Sequence, residues 1–237
     1  MLGGHARARM NRLNSSGPRK ALKAPDRPIA VRQEYITDLK TTLAVIPQGD
    51  ARAVTAYRIH DADGVTQFTV SGRKYNGGRF CREFRDASGL PLFELHRKIS
   101  LTSSSWAVTL PGSRGGHAEL ATGAPRLSFG TAVSGNFSLT FDNVAALATK
   151  RPEEKALTLV IERHGNILES FDVVDGDRKV AEVRESILYN KKLALRASSR
   201  RCTSHRPAMD VLVTPGVDMS LITIIAIIAS DSVFASE

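Results

Sequence analysis

The feature that most restricts the fold is the apolar run near the carboxyl end. From Met219 to Ala229 only Ser220 and Thr223 are polar, and Leu221, Ile222, Ile224, Ile225, Ala226, Ile227 and Ile228 cover every side of a helix. A helix that is apolar all round must be surrounded by protein or by lipid. Residues 217–230 would extend about 21 Å at about 1.5 Å per residue, short of the roughly 30 Å of a bilayer core. A buried core helix over 217–230 is therefore expected, not a transmembrane span. An Ile-rich run also suits a strand, but this one is long for that.

Something must surround such a helix, and an internal repeat supplies it. Residues 61–70 read DADGVTQFTV and residues 86–95 read DASGLPLFEL. Asp61, Ala62, Gly64 and Phe68 match Asp86, Ala87, Gly89 and Phe93. Each unit reads as a tight Asp/Gly turn between antiparallel strands: glycine takes the positive φ the turn needs, and aspartate bonds the turn backbone. Leu43–Ile46, Val54–Ile59, Trp106–Leu110, Leu127–Phe129, Phe137–Phe141 and Leu157–Ile161 read as further strands. Phe171–Val174 and Val180–Val183 flank a third turn at Asp175-Gly176-Asp177. Ile187–Leu195 and Val211–Val213 complete the β region. Asp142 is placed to cap a short helix through Ala148, and Ser198–Pro207 reads as an exposed excursion. The fold class that follows is mainly β, an antiparallel barrel or sandwich over residues 31–237 with the apolar helix as its core.

Charge is unevenly divided. Residues 1–30 hold seven Arg and Lys against Asp26, so most of the net charge of +9 sits there. They read as a disordered basic tail, with mitochondrial targeting as a minor alternative, and lack the apolar segment of a secretory signal. The rest of the chain is only mildly basic, so nucleic acid is not an expected partner. The two cysteines, Cys81 and Cys202, make neither a disulfide framework nor a CxxC site. Cys81 reads as a small buried hydrophobe.

The run FTVSGRKYNGGRFCREFRDASGLPLFELHRKISLTSSSWAV resembles the LURP-one-related (LOR) family. Further elements are Asp61-Ala62-Asp63-Gly64, the Asp175-Gly176 hairpin with Val180–Val183, and Pro215-Gly216-Val217-Asp218 before the apolar helix. The resemblance covers roughly residues 35–235 and rests on the order of these elements. It implies the tubby C-terminal-like fold: a barrel of about twelve strands around a hydrophobic carboxyl-terminal helix. The chain has no cysteine cluster like that of the related scramblases, and no tubby-type phosphoinositide motif matches it residue by residue.

No catalytic set emerges. The histidines form neither HxH nor HExxH. Asp172, Asp175 and Asp177 lack calcium-loop spacing, there is no G-x-S-x-G elbow, and no cofactor is expected. What stands out are basic pairs at strand ends: Arg73/Lys74, Arg97/Lys98 and Lys191/Lys192. Gathered on the barrel exterior they would hold anionic phospholipid headgroups. The expected function is a non-enzymatic, cytoplasmic module, peripheral at a membrane. The alternatives are a protein-interaction or signalling module without lipid binding, and a scramblase-like anchored protein.

Overall fold

The D-A-x-G repeat builds two turns with the same hydrogen bonds. Asp61 Oδ1 accepts from the N–H groups of Asp63 (3.0 Å) and Val65 (2.9 Å). Asp86 Oδ1 accepts from Ser88 and Leu90, both at 2.9 Å. Gly64 and Gly89 close the turns at φ 82° and 88°, left-handed values that a side chain would strain. In the computed structural model the described residues are 19–49, 56–72, 74–76, 79–99, 104–113, 119–128, 131–146, 154–165, 168–190 and 206–234.

Among these residues the strands are β1 (Thr41–Gln48), β2 (Ala56–His60), β3 (Thr66–Val70), β4 (Lys74–Asn76), β5 (Arg79–Asp86), β6 (Pro91–Ile99) and β7 (Ser104–Thr109). They continue with β8 (Glu119–Ser128), β9 (Thr131–Asp142), β10 (Ala156–Gly165), β11 (Glu169–Asp175), β12 (Arg178–Glu185) and β13 (Met209–Val213). One helix, α1 (Met219–Phe234), follows. Sequential strands pair antiparallel from β5 round to β13; β13 pairs with β1, and β3 returns to β5. This makes a closed ring of twelve strands, with β4 added alongside β5. Closure leaves the ring no open edge.

Alternation puts Phe68, Phe84, Phe93, Phe137 and Phe171 inside, each at most 1% exposed. Gly123 is the permissive contact of β8: a Cβ there would lie 3.3 Å from Trp106, whose ring packs 5.5 Å from that of Phe137. Helix α1 runs through this interior, and Leu221 through Ser230 are all buried. Its few hydroxyls find partners, as in Thr223 Oγ1 donating to the Met219 carbonyl (2.8 Å) and Ser230 Oγ meeting the Tyr57 hydroxyl (3.4 Å). The helix thus starts near the expected position and runs four residues further. No helix among the described residues is long and apolar enough to cross a membrane.

Asp218 caps the helix. Its Oδ1 accepts from the N–H groups of Ser220 (2.8 Å) and Leu221 (3.2 Å) and from the Ser220 hydroxyl (2.6 Å). Its Oδ2 accepts from the N–H groups of Val31 (3.1 Å) and Arg32 (2.8 Å). The same carboxylate therefore seats the helix and the amino-terminal segment.

That segment corrects one expectation. Residues 19–30 fell within the expected disordered tail, yet they lie as a strap against the barrel. Ile29 and Ala30 are wholly buried. Ile29 bonds the Gly216 carbonyl (2.9 Å), and Lys23 bonds that of Lys179 (2.9 Å). Arg27 meets Asp175 at 3.4 Å, and Asp26 meets Arg178 at 2.6 Å. The tail reading counted basic charge without the acids of β11 and β12 opposite it. Residues 1–18 lie outside the described residues.

Two smaller expectations also change. A short helical turn does follow, a 3-10 helix at Val144–Ala146, but Asp142 ends β9 and Asn143 precedes the turn. Asn143 ties the strap, accepting from the Ala30 N–H (2.9 Å) and donating to the Pro28 carbonyl (3.0 Å). Residues 187–190 form a turn, not a strand; residues 191–205 lie outside the described residues.

Candidate functional site at the basic end of the barrel

The direction of α1 distinguishes the two ends of the barrel. At the helix-start end lie Asp218, the strap and the three carboxylate-bearing turns at Asp61, Asp86 and Asp175. The helix-exit end collects the other connections, because antiparallel strands return alternately. Strand β3 ends and β5 begins there, and β12 ends and β13 begins there, so the connections are those of residues 71–78 and 186–208. In sequence, the first connection carries Arg73 and Lys74 and the second Lys191, Lys192, Arg196, Arg200, Arg201 and Arg206, with no acid in either. Strand β6 also ends there, at Arg97-Lys98-Ile99. Of the three basic pairs, the described members Lys74, in β4, and Arg97 and Lys98, at the end of β6, therefore lie at this end.

Arg97 and Lys98 do not act as a pair. Adjacent residues of a strand face opposite sides. Arg97 follows Phe93 and Leu95 on the inward side and stands in register with buried Trp106. For Arg97 this differs from the exterior placement expected of it. Lys98 faces outward, where its amine meets Glu119, and that contact holds the Glu119 carboxyl below its ordinary range. Beside it, His96 Nε2 lies 3.1 Å from Thr109 Oγ1 and 3.3 Å from Glu94. Arg97 has no such partner: it makes no hydrogen bond or ion pair among the described residues, and its Nε is buried without an acceptor. Lys74 lies in β4 in register with Cys81, which pairs in turn with His96. Register thus brings Lys74, Arg97 and Lys98 to neighbouring strands. Arg73, Lys191 and Lys192 lie outside the described residues.

A second set, absent from the sequence reading, occupies the interior at the same end. Arg82 grips Asp231 through Nε (3.2 Å) and Nη2 (3.1 Å). Arg206 reaches the same carboxylate and donates to the Tyr57 hydroxyl at 2.8 Å. The Arg82 guanidinium stacks 5.3 Å from the Tyr57 ring centre. Burial, then the Asp231 charge, push the Tyr57 phenol up. Nearby, Arg163 is bidentate to Glu169 at 2.7 and 2.6 Å. Arg82 was legible in principle, since it precedes Phe84 on the inward side of β5. Arg206 carried no pattern.

On the outer wall, under the strap, a different cluster is committed to structure. Lys179 Nζ is 2.8 Å from Asp172 and 2.7 Å from Glu182. His164 Nε2 is 3.2 Å from Asp172, close enough for an ion pair but not aligned as a hydrogen bond. Ser170 is adjacent, yet its hydroxyl donates to the His164 backbone carbonyl (3.2 Å) and not to the ring. The nucleophile–base geometry of a hydrolase triad is therefore not formed there.

The family described as LURP-one-related matches residues 41–230. An X-ray structure of an Arabidopsis thaliana protein aligns over 86% of this chain and 98% of its own, with a TM-score of 0.51 and 18% identity. At that identity the likeness concerns the fold. No curated protein matches the chain.

Proposed function

Because the chain belongs to the LURP-one-related family, we propose that it works as a non-enzymatic module that holds anionic phospholipid headgroups at the helix-exit end of its barrel. The observation that carries this reading is Arg97. A guanidinium with a buried, unmatched N–H is costly to a fold and suited to an oxyanion. It stands at the helix-exit end, which also holds Lys74, and the sequences that link β3 to β5 and β12 to β13 are rich in Lys and Arg and free of acids. The interior is filled by α1, so the ligand is met at the mouth of the barrel and not within it. Arg82 and Arg206 are held by Asp231 and form the floor.

Vesicle co-sedimentation tests the proposal. Phosphatidylcholine vesicles are compared with vesicles that also contain phosphatidylserine or a phosphoinositide, at low and physiological salt. Binding to the anionic vesicles alone, weakened by salt and by Arg97→Ala, is expected. No binding to either anionic vesicle at low salt would overturn the reading.

A further inference from the structure

We propose that Ile187, Leu188 and Tyr189 form an apolar wedge that enters the headgroup–acyl boundary of an anionic membrane while basic residues at the same end of the barrel meet the lipid phosphates. The proposal rests on the headgroup reading above and adds the element that would enter the lipid.

These three consecutive side chains are 71%, 61% and 48% exposed. Among the described residues the other large exposed apolar ones are Leu39, Val65, Leu90 and Leu110, each alone and each at the helix-start end. Isolated exposed apolar residues are ordinary, whereas a contiguous group marks a contact surface.

The wedge is held in shape by its own base. Ser186 is wholly buried and donates its N–H to the Ala208 carbonyl at 2.9 Å. The Ser186 hydroxyl accepts from the Tyr189 N–H (3.3 Å). Asn190 closes the turn from both sides: its side chain donates to the Ala208 carbonyl (2.8 Å) and accepts from the Ala208 N–H (3.0 Å). The exposure is therefore built into an anchored turn.

Charge selects the occupant. Lys191 and Lys192 follow directly in sequence, and the turn lies at the helix-exit end of the barrel, the end that also carries Lys74 and Arg97. An apolar tip with a tyrosine beside lysines matches the layering of a membrane interface, with acyl chains below and phosphates above.

The experiment uses the full chain and vesicles of phosphatidylcholine with phosphatidylserine. The double variant Ile187→Ser/Leu188→Ser alters exposed positions, and thermal unfolding checks that it remains folded. It should lose roughly tenfold or more in vesicle affinity at physiological salt, the scale expected when two apolar side chains no longer leave water. Leu188→Trp should bring indole emission that brominated acyl chains quench, against wild type carrying only buried Trp106. If wild type binds these vesicles and the double-serine variant binds equally, or the new indole is not quenched, the wedge is overturned and the headgroup reading survives. If wild type binds no anionic vesicle, both fall. Self-association of wild type that the double-serine variant abolishes, with vesicle binding unchanged, would assign the turn to a second copy and overturn the wedge.

Discussion

The backbone N–H of Arg32 donates to the Asp218 carboxylate at 2.8 Å across 186 residues of chain. The bond joins the strap to the cap of the central helix. Asp218→Ala removes the cap and leaves the N–H groups of Val31 and Arg32 unmatched. Loss of a cap costs about 1 kcal/mol, and each buried orphan donor about 1–3 kcal/mol. The variant should be destabilised by about 3 kcal/mol or more in urea unfolding. A loss of only a few tenths would show that the strap is not held by this carboxylate.

Ile225 is wholly buried at the centre of α1. Ile225→Asp places an unpaired charge there, at a cost of several kcal/mol against a total stability of about 5–15. Circular dichroism should show loss of the folded state. Ile225→Val, costing about 0.5–1.5 kcal/mol, should remain folded and serves as the control.

Glu182 gives a pH signature. Burial alone would raise its carboxyl, but the hydrogen bond and charge of Lys179 outweigh it and hold the group below its ordinary range. A depressed carboxylate stabilises the fold fully above its unfolded value of about 4.3 and loses that contribution as pH falls through the lower folded value. Glu182→Gln should therefore be less stable than wild type by about 1–2 kcal/mol at pH 7, between the limits for exposed and buried pairs. Denaturant midpoints should draw together as pH falls below about 4. A gap as wide at pH 3 as at pH 7 would contradict the assignment.

Arg97 predicts a trade between stability and binding. Its buried Nε has no acceptor, so Arg97→Leu should leave stability unchanged or raise it by about 1 kcal/mol. The same variant should bind anionic vesicles more weakly. A large loss of stability would mean that the guanidinium serves the fold instead.

Gly89 has φ 88° with open space around it. Gly89→Ala should cost about 1 kcal/mol through backbone strain alone, measured as a lower melting temperature without loss of structure.

The legible part of this protein was local. Asp61 and Asp86 shape their own turns within four residues, so composition and spacing revealed them. The helix was legible because no face of it is polar. The strap was not, because Arg27 finds Asp175 across 148 residues and nothing near Arg27 in sequence announces that acid. Arg97 and Lys98 looked like one site in a linear reading, but strand alternation divides them between the two sides of the wall. The Arg82–Asp231–Arg206 arrangement needs the end of α1 to arrive beside β5, which only the closed barrel provides.

The order of elements along the chain carries a consequence for synthesis. Among the described residues, every strand precedes the helix that the ring surrounds, which begins at Met219. A ribosome therefore delivers the whole wall before the part that fills it, and the strap cannot dock on Asp218 until that residue emerges. The early hairpins can form locally, but the ring has no interior to close upon until α1 has been translated. Cooperative folding should begin only once α1 clears the exit tunnel. Until then the phenylalanines of the wall have no core, and they are the surface that a nascent-chain chaperone would have to cover.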